Sequence, residues 1–82
     1  MIDVLYFAWL RERIGERSET IETNASTVAD LVEELKARSE AHELAFSDIS
    51  SVRVAVDQDL TEITASLEGA REVAFFPPMT GG

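Results

Sequence analysis

A single apolar stripe of helical spacing, Val28, Leu31, Val32 and Leu35 at i, i+3, i+4 and i+7, stands among short β-branched and aromatic runs. A chain with one such stripe and several strands buries both in a simple way: the helix lies across one face of a sheet. Thr27 to Asp30 has capping-box spacing at the start of this helix, with Asp where Glu or Gln is preferred. Glu34 and Arg38 stand four apart on the face turned from the stripe, in the order that favours an ion pair. With 82 residues there is room for one domain, and its core is too small to support a large internal substrate cavity.

The strands are read from their alternation. Residues 2–9 predict the first, with Ile2, Val4 and Tyr6 facing one way and Leu5, Phe7 and Trp9 the other, as in a central strand. Leu10 to Ile14 predicts a short helical turn that Gly15 ends. Ser18 to Thr23 reads as a second strand with one wet face. Residues 39–50 lose the pattern and read as a polar connection with Leu44 and Phe46 tucked inward. Val52 to Val56 is a further strand, Asp57-Gln58-Asp59 a turn, and Leu60 to Ala65 a short edge strand. After a turn at Glu68-Gly69, Arg71 to Phe76 makes the last strand, which Pro77-Pro78 ends. The expected fold is α+β: a mixed sheet with one main helix packed across it, residues 1–78 forming the domain and 79–82 a tail.

Composition excludes several classes of function. Without cysteine there is no disulfide framework, thiolate metal site or cysteine nucleophile. The one histidine, His42, sits between acidic neighbours and reads as a solvated side chain, so no metal site is expected. Sixteen acidic against seven basic residues give a net charge of −9, the wrong sign for nucleic acid. That charge serves solubility or steers the chain toward a basic partner surface. Asp3 interrupts the apolar start and Arg11-Glu12-Arg13 follows it, so neither an export signal nor a membrane span is expected, and the expected location is the cytoplasm.

What remains is the C-terminus. Gly81-Gly82 is a thread without side chains that can enter a narrow channel and present its carboxylate to another protein's active site. Two terminal glycines arise by chance in about 0.5% of chains, so the preceding residues matter. Pro77-Pro78 stiffens the exit from the last strand and directs the tail away from the body. Val73 and Phe75 share the core face, which leaves Phe76 on the other face beside the tail and near Met79, as a docking patch.

The ending Glu72-Val73-Ala74-Phe75-Phe76-Pro77-Pro78-Met79-Thr80-Gly81-Gly82 resembles that of the small, sulfur-carrier subunits of molybdopterin synthases. The opening Val4 to Gly15, a strand running into Phe-Ala-x-x-Arg-Glu-x-x-Gly, is similar to the start of the same family. The resemblance spans the chain and implies a ubiquitin-like β-grasp fold. It implies that an enzyme like the ubiquitin-activating enzymes uses ATP to adenylate Gly82. A sulfurtransferase system then converts Gly82 to a thiocarboxylate. The synthase large subunit next receives the tail, Met79, Thr80, Gly81 and Gly82, and sulfur passes to a cyclic pterin precursor in molybdenum cofactor biosynthesis. Phe7, Arg11 and Phe76 match the family's partner-binding positions. The chain itself is then a sulfur donor that binds no cofactor, and not an enzyme in isolation.

Two turns depart from the family pattern: Asp57 stands where Asn is usual, and Gly69-Ala70-Arg71-Glu72-Val73 is one residue longer than the usual Gly-Asp-Glu-Val. Three other readings share the fold: a carrier serving thiamine, cysteine or tRNA thiolation, a ubiquitin-like modifier joined to lysines through Gly82, and a plain interaction module. The last leaves the terminal glycines without a purpose.

Overall fold

The computed structural model describes residues 1–78. Strands β1 (Ile2–Tyr6), β2 (Ser18–Ile21), β3 (Arg53–Val56), β4 (Asp59–Thr61) and β5 (Glu72–Phe76) form one sheet in the order β2-β1-β5-β3-β4. The central pair β1 and β5 is parallel, and every other pairing is antiparallel. Helix α2 (Val28–Lys36) supplies the connection that a parallel pair requires. Two shorter helices, α1 (Trp9–Ile14) and α3 (Glu40–Ala45), and a 3-10 turn at Ile49–Ser51 complete the chain. This is the α+β arrangement that the residue pattern predicts, in the ubiquitin-like form that the family resemblance implies.

The apolar stripe of α2 is wholly buried against Ile2, Val4, Tyr6, Val54, Val73 and Phe75 on the inner face of the sheet. Thr27 caps the helix, its Oγ1 accepting from the N–H of Asp30 at 3.2 Å. The next orphan donors are met by a loop: Val28 N–H donates to Ala65 O at 3.0 Å and Ala29 N–H to Ile63 O at 2.8 Å. Gly15 ends α1 in the left-handed conformation, φ 88°, and its N–H donates to Arg11 O.

Several expectations are corrected. The first strand stops at Tyr6, because the chain turns at Ala8, φ 55°, and Trp9 opens α1. The second strand ends at Ile21 and the edge strand at Thr61. Residues 39–50 are not a plain polar connection: Ser39 caps α3, accepting from His42 N–H, and Asp48 caps the 3-10 turn. Phe46 is buried as expected, stacked edge-on against Phe75 with centroids 4.9 Å apart. Leu44 points outward and is 63% exposed. The Glu34–Arg38 pair does not form, since Glu34 accepts from the Thr23 hydroxyl and Arg38 reaches Glu19.

His42 is not solvated. It is 7% exposed, its Nε2 lies 2.7 Å from Glu19 Oε2, and its Nδ1 lies 2.7 Å from Ser39 Oγ. Glu19 faces inward because it alternates with Ser18 and Thr20 along β2, so one acidic residue enters the core face. Its carboxylate accepts from Tyr6 Oη at 2.7 Å and from Arg38 at 3.1 Å, which offsets the cost of burial.

Candidate functional site

The expected reactive tail, Met79, Thr80, Gly81 and Gly82, lies outside the described residues. Its base is described. Strand β5 carries the chain through the centre of the sheet, so its end is fixed on both sides: Tyr6 pairs with Phe75 from β1, and Arg53 pairs with Phe76 from β3. The last described residues therefore follow a strand that is paired on both sides.

Phe7 follows Tyr6 and Phe76 follows Phe75, so both turn to the open face, opposite the helices, at the same end of the sheet. The Phe7 N–H donates to Phe75 O at 3.0 Å, which extends the β1–β5 ladder one step toward the tail. Phe7 is 48% exposed, and Phe76 is half-buried. Arg11 stands on the exposed side of α1 and shares a hollow of about 330 Å³ with Leu5, Phe7 and Arg17. Phe7 and Arg11 thus share one hollow, and Phe76, distant in sequence, ends the neighbouring strand at the same end of the sheet.

Ala8 explains how Phe7 and Arg11 meet. Its φ of 55° is a left-handed value that a residue with a Cβ rarely adopts, and it lets a strand residue and a helix residue converge within one turn.

The sequence reading missed a row across the same face. Leu5 pairs with Ala74, Ala74 with Ala55, and Ala55 with Leu60, so four apolar residues cross the open face in register. Leu60 ends the row on the edge strand and is 73% exposed. Its alternation is hidden in a three-residue strand, and only the β3–β4 register assigns it to this face. Charge is divided along the face: Arg53 sits beside Phe76 at the tail end, whereas Asp3 and Glu72 pair at the far end.

The remaining titratable cluster, Tyr6, Glu19, Arg38 and His42, lies on the helix side. Burial pushes the Tyr6 phenol far up, and the adjoining Glu19 adds to this, so it stays a donor. For Glu19, partial burial acts upward, but hydrogen bonds from His42 and Tyr6 and the charges of His42 and Arg38 prevail and hold its carboxyl below the ordinary value. Among the described residues no group of His, Asp or Glu is arranged to hold a metal ion, and no helix is long and apolar enough to cross a membrane.

Comparison with known proteins bears on the family and the fold. The chain is 39% identical to the molybdopterin synthase sulfur carrier subunit of Escherichia coli over 82 residues, covering all of both chains. It is 34% identical to the subunit of the same name from Haemophilus influenzae, again over the full length of both. The crystal structure of SAMP1 from Haloferax volcanii superposes with a TM-score of 0.74 at 23% identity, covering 99% of this chain and 98% of that one, a likeness of fold. The ThiS family model matches residues 4–82. With that match and these full-length relatives, the chain belongs to the ThiS family of ubiquitin-like sulfur carriers.

Proposed function

We propose that this chain is the sulfur-donating subunit of a molybdopterin synthase, with Gly82 as the residue that carries the sulfur. The observation that carries this reading is the full-length correspondence with the Escherichia coli subunit. In this chain that correspondence ends in a Gly-Gly tail rooted beside the open face.

The chemistry belongs to the terminus. The Gly82 carboxylate attacks the α-phosphate of ATP on an activating adenylyltransferase, releasing pyrophosphate and forming an acyl-adenylate. A sulfur nucleophile from a sulfurtransferase system then displaces AMP and leaves a thiocarboxylate. The large synthase subunit receives the tail, and the sulfur passes to a cyclic pterin precursor. Met79, Thr80 and Gly81 form the lead to the reacting atom, and the absence of side chains on the last two residues lets it approach closely. Residues 1–78 act as the rigid base that positions this lead in the cytoplasm, where the pathway's other enzymes work.

The open face supplies docking. Phe7, Phe76, Leu5 and Leu60 form its apolar part, and Arg11 and Arg53 mark the end nearest the tail. Aromatic anchors beside Arg are the residue types that carry most of the binding energy at protein interfaces.

Incubation of the chain with an activating enzyme, ATP and a sulfur donor, followed by intact-mass and C-terminal peptide analysis, tests the reading. The expected outcome is replacement of one oxygen by sulfur, mapped to the peptide ending at Gly82. An isopeptide adduct in place of a thiocarboxylate identifies the chain as a protein modifier instead.

A further inference from the structure

Most basic residues of this acidic chain are engaged within the fold. Arg38 is bound to Glu19 and Lys36 to Glu33. Arg53 donates to the carbonyls of Ser50 and Val52, Arg13 lies over the Trp9 ring, and Arg71 borders Asp57 and Glu72. Arg11 and Arg17 differ. Both are exposed, and among the described residues neither has a carboxylate at ion-pair distance. They line the same hollow of about 330 Å³, together with Leu5, Tyr6, Phe7 and Ser18, and no acidic side chain is in its wall.

Local structure sets this pair in place. Arg11 is fixed in α1, where its carbonyl accepts from Gly15 N–H at 2.8 Å. The left-handed turn at Gly15 brings the chain back to β1, and the Arg17 carbonyl accepts there from Tyr6 N–H at 2.9 Å. A helix and a strand start thus bring two cations to one hollow, where like charges oppose each other until an anion arrives. Leu5 and Phe7 belong to the open face as well as to the hollow, so a protein surface that covers the face covers the hollow too. Taking unpaired guanidinium groups out of water is costly, so that surface must bring negative charge. One carboxylate offers about four acceptor positions, enough for two arginine forks.

We propose that Arg17 completes, with Arg11, a seat for a carboxylate side chain, Asp or Glu, of the large synthase subunit, inserted beside Phe7. The proposal rests on the carrier reading, and adds to it a second arginine and the chemistry of the group that it receives. Arg17 acts in docking and takes no part in the sulfur chemistry.

Calorimetric titration of the large subunit with the native chain, Arg17→Gln, Arg17→Lys and Arg71→Gln tests this. Arg17→Gln weakens binding about tenfold, and Arg17→Lys, which keeps the charge but not the fork, falls between it and the native chain. Arg71→Gln, at the far end of the sheet, stays within about twofold and reports the effect of overall charge. In the native chain, labelled at the arginine side chains, the Nε–H signals of Arg11 and Arg17 shift on addition of the large subunit, while that of Arg71 does not. This second measurement needs no variant to fold. Native binding with unchanged affinity in Arg17→Gln, or with an equal loss in Arg71→Gln, overturns the seat and leaves the carrier reading standing. Arginine signals that answer to inorganic phosphate and not to the large subunit also overturn it. A native chain that does not bind the large subunit at all removes the carrier reading, and the seat with it.

Discussion

The Nε2 of His42 stands 2.7 Å from Oε2 of Glu19, joining helix α3 to strand β2 through a contact between two side chains 23 positions apart. An ionised carboxylate only accepts, so the imidazole donates from Nε2, and in its neutral form Nδ1 accepts from the Ser39 hydroxyl. This bridge fixes α3, and with it Leu44, over the end of the core.

The bridge predicts acid sensitivity of a definite sign. Glu19 is held below its ordinary value, so its contribution to stability is complete above the unfolded-state value of about 4.3. It is lost as pH falls through the lower folded-state value. Urea midpoints of the native chain and Glu19→Gln should differ clearly at neutral pH and converge in acid. His42→Ala, which leaves a largely buried carboxylate without one donor, should cost about 1–3 kcal/mol at neutral pH.

A second prediction concerns two strained positions. Asp57 and Gln58 both have positive φ, 49° and 73°, in the two-residue turn between Val56 and Asp59. Such a turn favours Asn or Asp followed by Gly. Gln58→Gly should raise stability by about 0.5–1 kcal/mol, and Ala8→Gly by a similar amount at φ 55°. Thermal unfolding of the two variants checks both. Asp57 should not be changed to Gly, because its Oδ1 accepts from the N–H groups of Arg71 and Glu72 and anchors the start of β5.

That anchor shows how much of the fold was legible from residues alone. The α2 stripe and the alternation of Val73 and Phe75 fixed the helix, the last strand and its buried face, because burial leaves one parity open to each. At the position where the family pattern has Asn, the Asp57 carboxylate accepts two backbone N–H bonds that tie the β3–β4 turn to the start of β5. What was not legible depends on pairing across the chain. Glu19 looks like one more surface acid until β2 lies against β1 and turns it under Tyr6 and His42. The same holds for Leu60, whose face follows from the β3–β4 register. At the site, Phe7 and Arg11 were found by resemblance, and their meeting follows from a backbone turn at Ala8 that an alanine does not announce.

Adjacent phenylalanines should separate stability from binding. Phe75 is fully buried and packs on Tyr6 and Phe46, so Phe75→Ala should cost about 3–5 kcal/mol of folding stability. Phe76 is half-buried on the open face, so Phe76→Ala should leave the unfolding transition nearly unchanged. As an interface anchor it should instead weaken binding to the large subunit by about 2 kcal/mol, roughly 30-fold in Kd. Calorimetric titration and thermal unfolding of both variants distinguish the two roles.

The central claim is that the sulfur delivered to the pterin is the one carried by Gly82. A single-turnover reaction tests it: purified thiocarboxylated chain is mixed with the large subunit and the cyclic pterin precursor, and the chain's intact mass is followed beside the product. The account predicts that thiocarboxylate reverts to carboxylate in step with dithiolene formation, and that a chain lacking Gly82, its reactive carbon drawn back by about 3.5 Å, neither loads sulfur nor supports product. Product formed while the thiocarboxylate persists unchanged would contradict it.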